Sequence, residues 1–198
     1  IVPGAIVIGA GPSGLAAAAC LRRERIPFDV IERSNCVASS WRHRTYDRLK
    51  LHLPKQFCQL PFMPFPSDYP KYPSKHQFVR YLDAYAEKFR IEPIFDRTVL
   101  AVRFDRGIGM WRVVTSAGEY LSRWVVAATG ENAEAAAPEV EGAAEYRGQI
   151  LHSSEYVGGE GYKGMKVLVV GCGNSGMELC LDLCRHHSRP SISVRDTV

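Results

Sequence analysis

The sequence predicts an α/β fold with two βαβ units, the second of them incomplete, and a small β-meander inserted between the two. An apolar strand, a glycine-rich turn and a helix follow one another in AIVIGAGPSGLAAAAC, residues 5–20. The same order returns in KVLVVGCGNSGMELC, residues 166–180. Between these segments, residues 98–122 alternate apolar and polar side chains in short runs separated by turns, as in a meander.

The first unit opens with a strand at residues 5–8 and closes with the strand FDVIE, which ends at Glu32. A glycine turn between strand and helix lets the backbone approach a pyrophosphate, which the N-terminus of the helix then binds. We therefore predict a Rossmann-type dinucleotide site here. The residues assigned to its turn are Gly9, Gly11, Pro12, Ser13 and Gly14.

The stretch from Pro54 to Pro73 contains six prolines among Phe, Met and Tyr. Proline excludes this stretch from helices and central strands. Its aromatic residues favour an ordered loop over a disordered linker. A helix follows, because Ser74 and Gln77 form a capping box and apolar side chains then recur at helical spacing up to Phe89.

The meander is predicted to end in a strand, residues 124–128, whose continuous apolar character suits a parallel sheet covered on both faces. The predicted organisation is a first dinucleotide domain at residues 1–130, a connecting segment at 131–165 and the start of a second domain at 166–198. Because the second unit stops after two strands and the chain begins with Ile1, we expect a fragment of a longer protein.

The second glycine turn differs from the first in the charge that follows it. Glu32 and the adjacent Arg33 follow the first turn, and a carboxylate there accepts hydrogen bonds from ribose hydroxyls, as for FAD. Arg195 ends the strand after the second turn, and a guanidinium suits a ribose 2′-phosphate. This favours NADPH, while Asp196 keeps NADH open. The second turn is assigned Gly171, Gly173, Asn174, Ser175 and Gly176.

Composition excludes several classes of protein. The chain of 198 residues is 46% hydrophobic and 23% charged, with a net charge of +4, as expected of a globular protein. It has no basic run for nucleic acid, no apolar segment of membrane-spanning length, and no N-terminal signal segment. Its six cysteines form no CxxC pair, so we predict buried, reduced thiols, no metal site and a cytoplasmic location.

The final electron acceptor could be a disulfide or oxygen, and the cysteine spacing distinguishes between them. Nicotinamide and flavin side by side would pass a hydride from the first to the second. Many flavoproteins with two nucleotide sites reduce a disulfide next, but Cys36 follows the first unit without a partner at short spacing. Oxygen is therefore the favoured acceptor.

Further motifs resemble one family. YRGQILHSSEY, residues 146–156, resembles the FxGxxxHxxxY/F signature of flavin-containing monooxygenases, with Tyr146 in place of Phe. VVAATG resembles the segment that joins their nucleotide domains, and GCGNSGMELCLDLC, LKLHLPK and YPSKHQF resemble the plant YUCCA subgroup. The resemblance implies FAD, NADPH, O2 and oxidative decarboxylation of indole-3-pyruvate to the auxin indole-3-acetate.

The same resemblance adds candidate residues around the flavin but names no catalytic acid or base. These residues are Trp41, Lys50, Leu51, His52, Thr129 and Gly130. His152 of the signature is interpreted as a structural residue of the connection. Two alternatives stay open: a non-catalytic, truncated nucleotide-binding fragment, and a broader monooxygenase of sulfur or nitrogen centres.

Overall fold

The structure is a computed structural model that describes residues 1–195, and it divides the chain into two compact units. The first unit consists of Ile1–His43 and Leu51–Ala133. The second unit consists of Arg44–Lys50, a segment that we call the strap, and the residues from Glu134 onward. The functional division predicted at residues 130 and 165 stays a prediction.

The first unit is built on a five-stranded sheet in the order β2-β1-β5-β4-β3. The strands are β1 (Val2–Ile8), β2 (Phe28–Ile31), β3 (Val99–Asp105), β4 (Met110–Thr115) and β5 (Gly118–Ala127). β1 pairs in parallel with both β2 and β5, whereas β3, β4 and β5 pair antiparallel. The predicted meander is confirmed, and its last strand extends into the parallel sheet.

Four helices complete this unit. They are α1 (Pro12–Arg23), α2 (Ser39–His43), α3 (Lys55–Cys58) and α4 (Lys75–Lys88). The predicted capping box of α4 is present, since Ser74 and Gln77 exchange side-chain to backbone hydrogen bonds. α4 buries Phe78, Leu82 and Tyr85 in the same core as Leu15 of α1, so this amphipathic helix is part of the scaffold around the first turn.

The proline-rich stretch is an ordered loop held by side chains of α4. The Tyr81 hydroxyl donates to Met63 O at 2.6 Å and accepts from Leu60 N–H at 2.8 Å. Tyr85 donates to Pro61 O at 2.9 Å. The prediction that this stretch contains no helix is wrong for one turn, α3. Pro54 precedes that turn as its N-cap, where a missing N–H costs no helical hydrogen bond.

The prediction that both faces of the strand at residues 124–128 are covered is also wrong. Val126 packs against the core that contains α1, but Trp124 is 49% exposed. The side chain of Arg123 lies over the Trp124 indole, with the guanidinium carbon 5.5 Å from the ring centroid. An apolar run therefore identified the strand correctly but overestimated its burial.

The second unit contains β6 (Lys166–Val170), α5 (Asn174–Arg185) and β7 (Arg189–Ser193). β6 and β7 pair in parallel in register from Lys166 with Arg189, which gives the predicted incomplete βαβ unit. Short 3-10 turns at Ala143–Glu145 and Gly159–Tyr162 punctuate the connection before it. The predicted α/β fold with two Rossmann-type βαβ units and a meander is thus confirmed.

The cysteines differ in part from expectation. All six are free thiols, as predicted, but none is fully buried, and Cys20, Cys172 and Cys184 are exposed. Residues 1–195 hold no cluster of His, Cys, Asp and Glu suited to a metal ion. Among the helices of these residues, none is long and apolar enough to cross a membrane. The cytoplasmic location stays a prediction.

Candidate dinucleotide-binding sites

The first glycine turn needs glycine at two positions for different reasons. Gly9 has a φ of +107°, and a Cβ there would lie 2.4 Å from the carbonyl oxygen of Ala128, the residue directly after β5. A Cβ on Gly14 would lie 1.8 Å from Gly9 O, so only glycine lets α1 start this close to the turn. Gly11 is different, because a Cβ there would meet no atom within 4 Å. The space in front of Gly11 is open.

The start of α1 has unsatisfied backbone donors beside that open space. Gly11 is its N-cap and offers no side-chain capping bond, and Pro12 follows at the first helical position. The first bond of the helix runs from Leu15 N–H to Gly11 O at 3.0 Å. The N–H groups of Ser13 and Gly14 precede it and have no partner within the helix. Such N–H groups at the positive end of a helix form an anion site.

Glu32 is buried and holds the turn to the end of β2. Its carboxylate accepts hydrogen bonds from Ala10 N–H at 2.8 Å, Ser34 N–H at 3.0 Å and the Ser39 hydroxyl at 3.3 Å. A carboxylate has about four lone-pair sites, so these three bonds leave capacity for one further donor such as a ribose hydroxyl. The sequence pointed to Glu32 but not to Ser39, the first residue of α2, because a separation of seven residues matches neither a strand nor a helical turn.

The other residues assigned to the first site lie at different depths in the first unit. Arg33 is exposed and donates to Ala133 O at 2.8 Å, which brings it to the segment that contains Thr129 and Gly130. Thr129 Cα lies 3.6 Å from the position of a Cβ on Gly9, so this segment adjoins the turn. Thr129 and Gly130 are both exposed.

The flavin-side residues suggested by resemblance are not equivalent in the structure. Trp41 packs edge-on against Phe78, with ring centroids 4.6 Å apart, and Leu51 is 7% exposed within the core. Leu51 is therefore mainly a core residue. His52 is exposed. Lys50 is also exposed, but it belongs to the strap and hence to the second unit.

The second glycine turn repeats the geometry of the first. Gly171 has a φ of +106°, and a Cβ on Gly176 would lie 2.1 Å from Gly171 O. The N-cap Gly173 has no side-chain capping bond, and a Cβ there would meet no atom within 4 Å. The first helical bond runs from Met177 N–H to Gly173 O at 3.1 Å. The N–H groups of Asn174, Ser175 and Gly176 precede that bond.

Arg195 is exposed and lies two residues beyond the end of β7. It is at the carboxyl end of this strand, as Glu32 is at the carboxyl end of β2. The two turns thus share their backbone geometry and differ in the charge at the neighbouring strand end. Asp196 lies outside the described residues.

The residues of the predicted signature organise the connection around α5. The hydroxyl of Tyr156, a buried residue, donates to Asp182 Oδ2 at 2.7 Å, and Gly159 N–H donates to the same oxygen at 2.8 Å. Burial and the Asp182 carboxylate raise the pKa of Tyr156, so its hydroxyl stays protonated and acts as the donor of this hydrogen bond. His152 Nδ1 lies 2.9 Å from Ser154 Oγ and accepts Ser154 N–H at 3.2 Å, a local bond that fits a structural residue.

Asp182 was missed by the sequence analysis. It is 5% exposed and lies in the apolar run LCLDLC of α5. A single carboxylate within such a helical run indicates a buried acceptor, because an isolated buried charge must find donors. Its two donors are far away in sequence, so their identity could not be read from the helix itself.

Replacing Asp182 by Ala is expected to lower the free energy of unfolding of the second unit by at least about 2 kcal/mol, since it leaves Tyr156 and Gly159 as two buried donors without an acceptor. Tyr156→Phe removes one donor and its own need for a partner, so we expect a loss of about 1 kcal/mol. Urea unfolding of both variants and of the double variant measures the coupling. Additive losses would show that this hydrogen bond does not stabilise the unit.

Two glycine turns of the same geometry, each between a strand and a helix, define an α/β protein with two dinucleotide-binding units. The chain belongs to the Pyridine nucleotide-disulphide oxidoreductase family, which residues 6–198 match.

Curated plant proteins are similar to the whole chain. It is 58% identical to indole-3-pyruvate monooxygenase YUCCA1 of Oryza sativa subsp. japonica over 100% of this chain and 49% of that protein. It is 55% identical to the probable indole-3-pyruvate monooxygenase YUCCA8 of Arabidopsis thaliana, over 100% and 48%. The predicted resemblance to YUCCA-type monooxygenases is confirmed, and the chain spans about half the length of these relatives.

A solved structure agrees with the fold. A mutant flavin monooxygenase from Stenotrophomonas maltophilia superposes with a TM-score of 0.90 at 29% identity, covering 98% of this chain and 57% of that one. The S-allyl-L-cysteine S-oxygenase of Allium sativum superposes with a TM-score of 0.85 at 22% identity, covering 98% of this chain and 51% of that one. At this identity the similarity supports the fold alone. The fold is that of flavin monooxygenases.

Proposed function

We propose that the protein containing this chain is an FAD- and NADPH-dependent monooxygenase that converts indole-3-pyruvate to indole-3-acetate by oxidative decarboxylation with O2. The observation that carries this proposal is the pair of equivalent glycine turns with Glu32 after one and Arg195 after the other. One turn then suits a dinucleotide without a 2′-phosphate and the other a dinucleotide with one.

The first turn fits the pyrophosphate of FAD. The open space at Gly11, the uncapped start of α1 and the remaining acceptor capacity of Glu32 each match one part of the ligand. The residues proposed to hold FAD are those of the first turn with Glu32, Arg33, Trp41, Lys50, Leu51, His52, Thr129 and Gly130. For Leu51 the contribution is the wall of the core that supports the site.

The second turn fits the pyrophosphate of NADPH on the same grounds. Gly171 and Gly176 give the turn its backbone geometry, and Gly173 leaves open space for a pyrophosphate to approach. The N–H groups of Asn174 and Ser175 make no hydrogen bond within α5. Arg195 is proposed to pair with the 2′-phosphate. A planar guanidinium suits this group because it donates two parallel hydrogen bonds to phosphate oxygens.

When bound, the two cofactors supply hydride transfer and the activation of oxygen, so the chain's own task is to bind and orient them. We assign no catalytic acid or base. His152 Nδ1 is engaged with Ser154, which supports its role in fixing the connection. Tyr156 keeps its proton in the bond to Asp182, which supports the same kind of role.

The substrate rests on the relatives. The curated plant proteins at 54–58% identity are named indole-3-pyruvate monooxygenases or probable ones, and this supports an arylpyruvate and a place in auxin biosynthesis. A broader oxidation of sulfur or nitrogen centres and a non-catalytic nucleotide-binding role are the alternative functions.

The test uses the full-length protein purified from an expression host. We expect bound flavin by its absorbance, NADPH oxidation in air that depends on indole-3-pyruvate, and indole-3-acetate as the product. A thioether offered in place of indole-3-pyruvate is the control for a broader oxygenase. Sulfoxide formation with no indole-3-acetate would overturn the substrate assignment, and binding of flavin or NADPH without any oxidation of NADPH would favour the non-catalytic alternative.

A further inference from the structure

The strap is fixed to α5 by an ion pair that the cofactor assignments do not use. Arg48 Nη2 lies 3.0 Å from Glu178 Oε2, and both side chains are mostly buried, with 23% and 33% of their surface exposed. The preceding residue of the strap, Asp47, donates its N–H to Val157 O at 2.9 Å. Tyr46 is buried beside this pair. Specific contacts therefore hold the strap to the rest of the second unit.

Arg48 also has capacity that Glu178 does not use. Its Nη1 is buried and has no hydrogen-bond partner among the described residues, and the same holds for the Tyr46 hydroxyl. Burial and the Glu178 carboxylate raise the pKa of Tyr46, which keeps that hydroxyl protonated as a donor. The guanidinium of Arg48 and the hydroxyl of Tyr46 thus each keep a donor that the Glu178 carboxylate does not accept.

The position of Glu178 on α5 explains why this cation matters. Glu178 is one helical turn after Asn174, the first residue of α5. Side chains on a helix lean toward its N-terminus, so the carboxylate of Glu178 covers the first turn of α5. That turn carries the N–H groups of the second glycine turn. An uncompensated carboxylate at this place would repel an anion at the helix N-terminus.

We propose that Arg48 is an affinity-determining residue for the anionic dinucleotide at the second glycine turn, because it neutralises Glu178. The inference deepens the proposed function and rests on it for the identity of the ligand. Arg48 is a positioning and electrostatic residue here and needs no contact with the phosphates. A segment far away in sequence thereby contributes to the second nucleotide site.

A purely structural ion pair predicts a different outcome from an electrostatic one. If the pair only stabilises the fold, removing either partner leaves the other charge buried, and both single variants lose binding together with stability. If Arg48 acts on the anion through Glu178, the two single variants have opposite effects. Loss of the cation weakens the anion's binding, whereas loss of the carboxylate's charge removes a repulsion.

The experiment measures binding of NADP⁺ to the full-length protein by isothermal titration calorimetry, with thermal unfolding of every variant in parallel. We expect Arg48→Met to weaken NADP⁺ by about threefold to tenfold, Glu178→Gln to leave it equal or tighter, and the double variant to return close to the wild type. Arg48→Lys should retain most of the affinity. The loss in Arg48→Met should shrink at high salt, since ions screen the repulsion.

The controls separate this inference from the proposed function. If the wild type binds no nicotinamide dinucleotide, the proposed function fails. If the wild type binds NADP⁺ and folded Arg48→Met binds it equally well, only the role of Arg48 is overturned. Equal losses in Arg48→Met and Glu178→Gln, accompanied by lower melting temperatures, would also overturn it and assign the pair to the fold.

Discussion

Replacing Gly11 by Leu in the full-length protein is expected to abolish flavin binding and leave the fold intact. A Cβ at Gly11 would meet no protein atom within 4 Å, so the free protein has room for the larger side chain. The same space lies in front of the uncapped N-terminus of α1, where the pyrophosphate is proposed to bind. The measurement is the ratio of flavin to protein absorbance after purification, together with the melting temperature.

Two other glycines, one in each turn, give matched controls for this variant. Gly14→Ala should destabilise the fold itself, because its Cβ would lie 1.8 Å from Gly9 O, a backbone atom that cannot move away cheaply. Gly173→Leu places the same bulk at the equivalent point of the second turn, so it should impair NADPH binding and retain flavin. A Gly11→Leu protein that purifies with stoichiometric flavin would refute the assignment of the first site.

The architecture could be predicted because its signals are local. The strand, glycine turn and helix of each unit lie within short windows, and the capping box of α4 spans four residues. The positive φ of Gly9 and Gly171 and the close approach of Gly14 and Gly176 to the turn are the physical reasons for the glycine spacing. The local spacing of residues was therefore enough to predict the fold and both glycine turns.

The contacts that join distant segments could not be predicted in this way. Arg48 pairs with Glu178, and Tyr156 with Asp182, across separations that no periodicity records. Both carboxylates lie on α5, one helical turn apart, and each holds a different segment of the second unit. The sequence marks Asp182 only as a charge within an apolar run. Its partners depend on how the connection packs, which is a tertiary property.

The internal bonds of Glu32 also change how its role is understood. The sequence suggested that Glu32 only accepts hydrogen bonds from ribose. In the structure its buried carboxylate already accepts hydrogen bonds from Ala10, Ser34 and Ser39. Removing it should therefore disturb the turn as well as the ligand. For this reason Glu32 is a poor site for testing which dinucleotide binds, and an exposed residue is a better one.

Replacing Arg195 by Ala in the full-length protein is expected to weaken NADPH binding by about 10- to 150-fold and to leave NADH nearly unchanged. A charge-assisted pair between a guanidinium and a phosphate contributes about 1.5–3 kcal/mol, and about 1.4 kcal/mol corresponds to a factor of ten. Arg195 is exposed, so the substitution leaves no cavity or orphaned partner in the core. NADH has no 2′-phosphate and loses no contact.

The measurement is the rate of flavin reduction against the concentration of each nicotinamide, in the absence of oxygen. Arg189→Ala is the matched control, because Arg189 is an exposed arginine at the opposite end of β7, roughly 15–20 Å away along the strand. Arg189→Ala should change the binding of neither NADPH nor NADH, and the flavin content of both variants should equal that of the wild type. If NADPH and NADH weaken equally in Arg195→Ala, the residue positions the strand end and does not read the phosphate. If neither weakens, another residue reads the ribose and the preference for NADPH loses its main support.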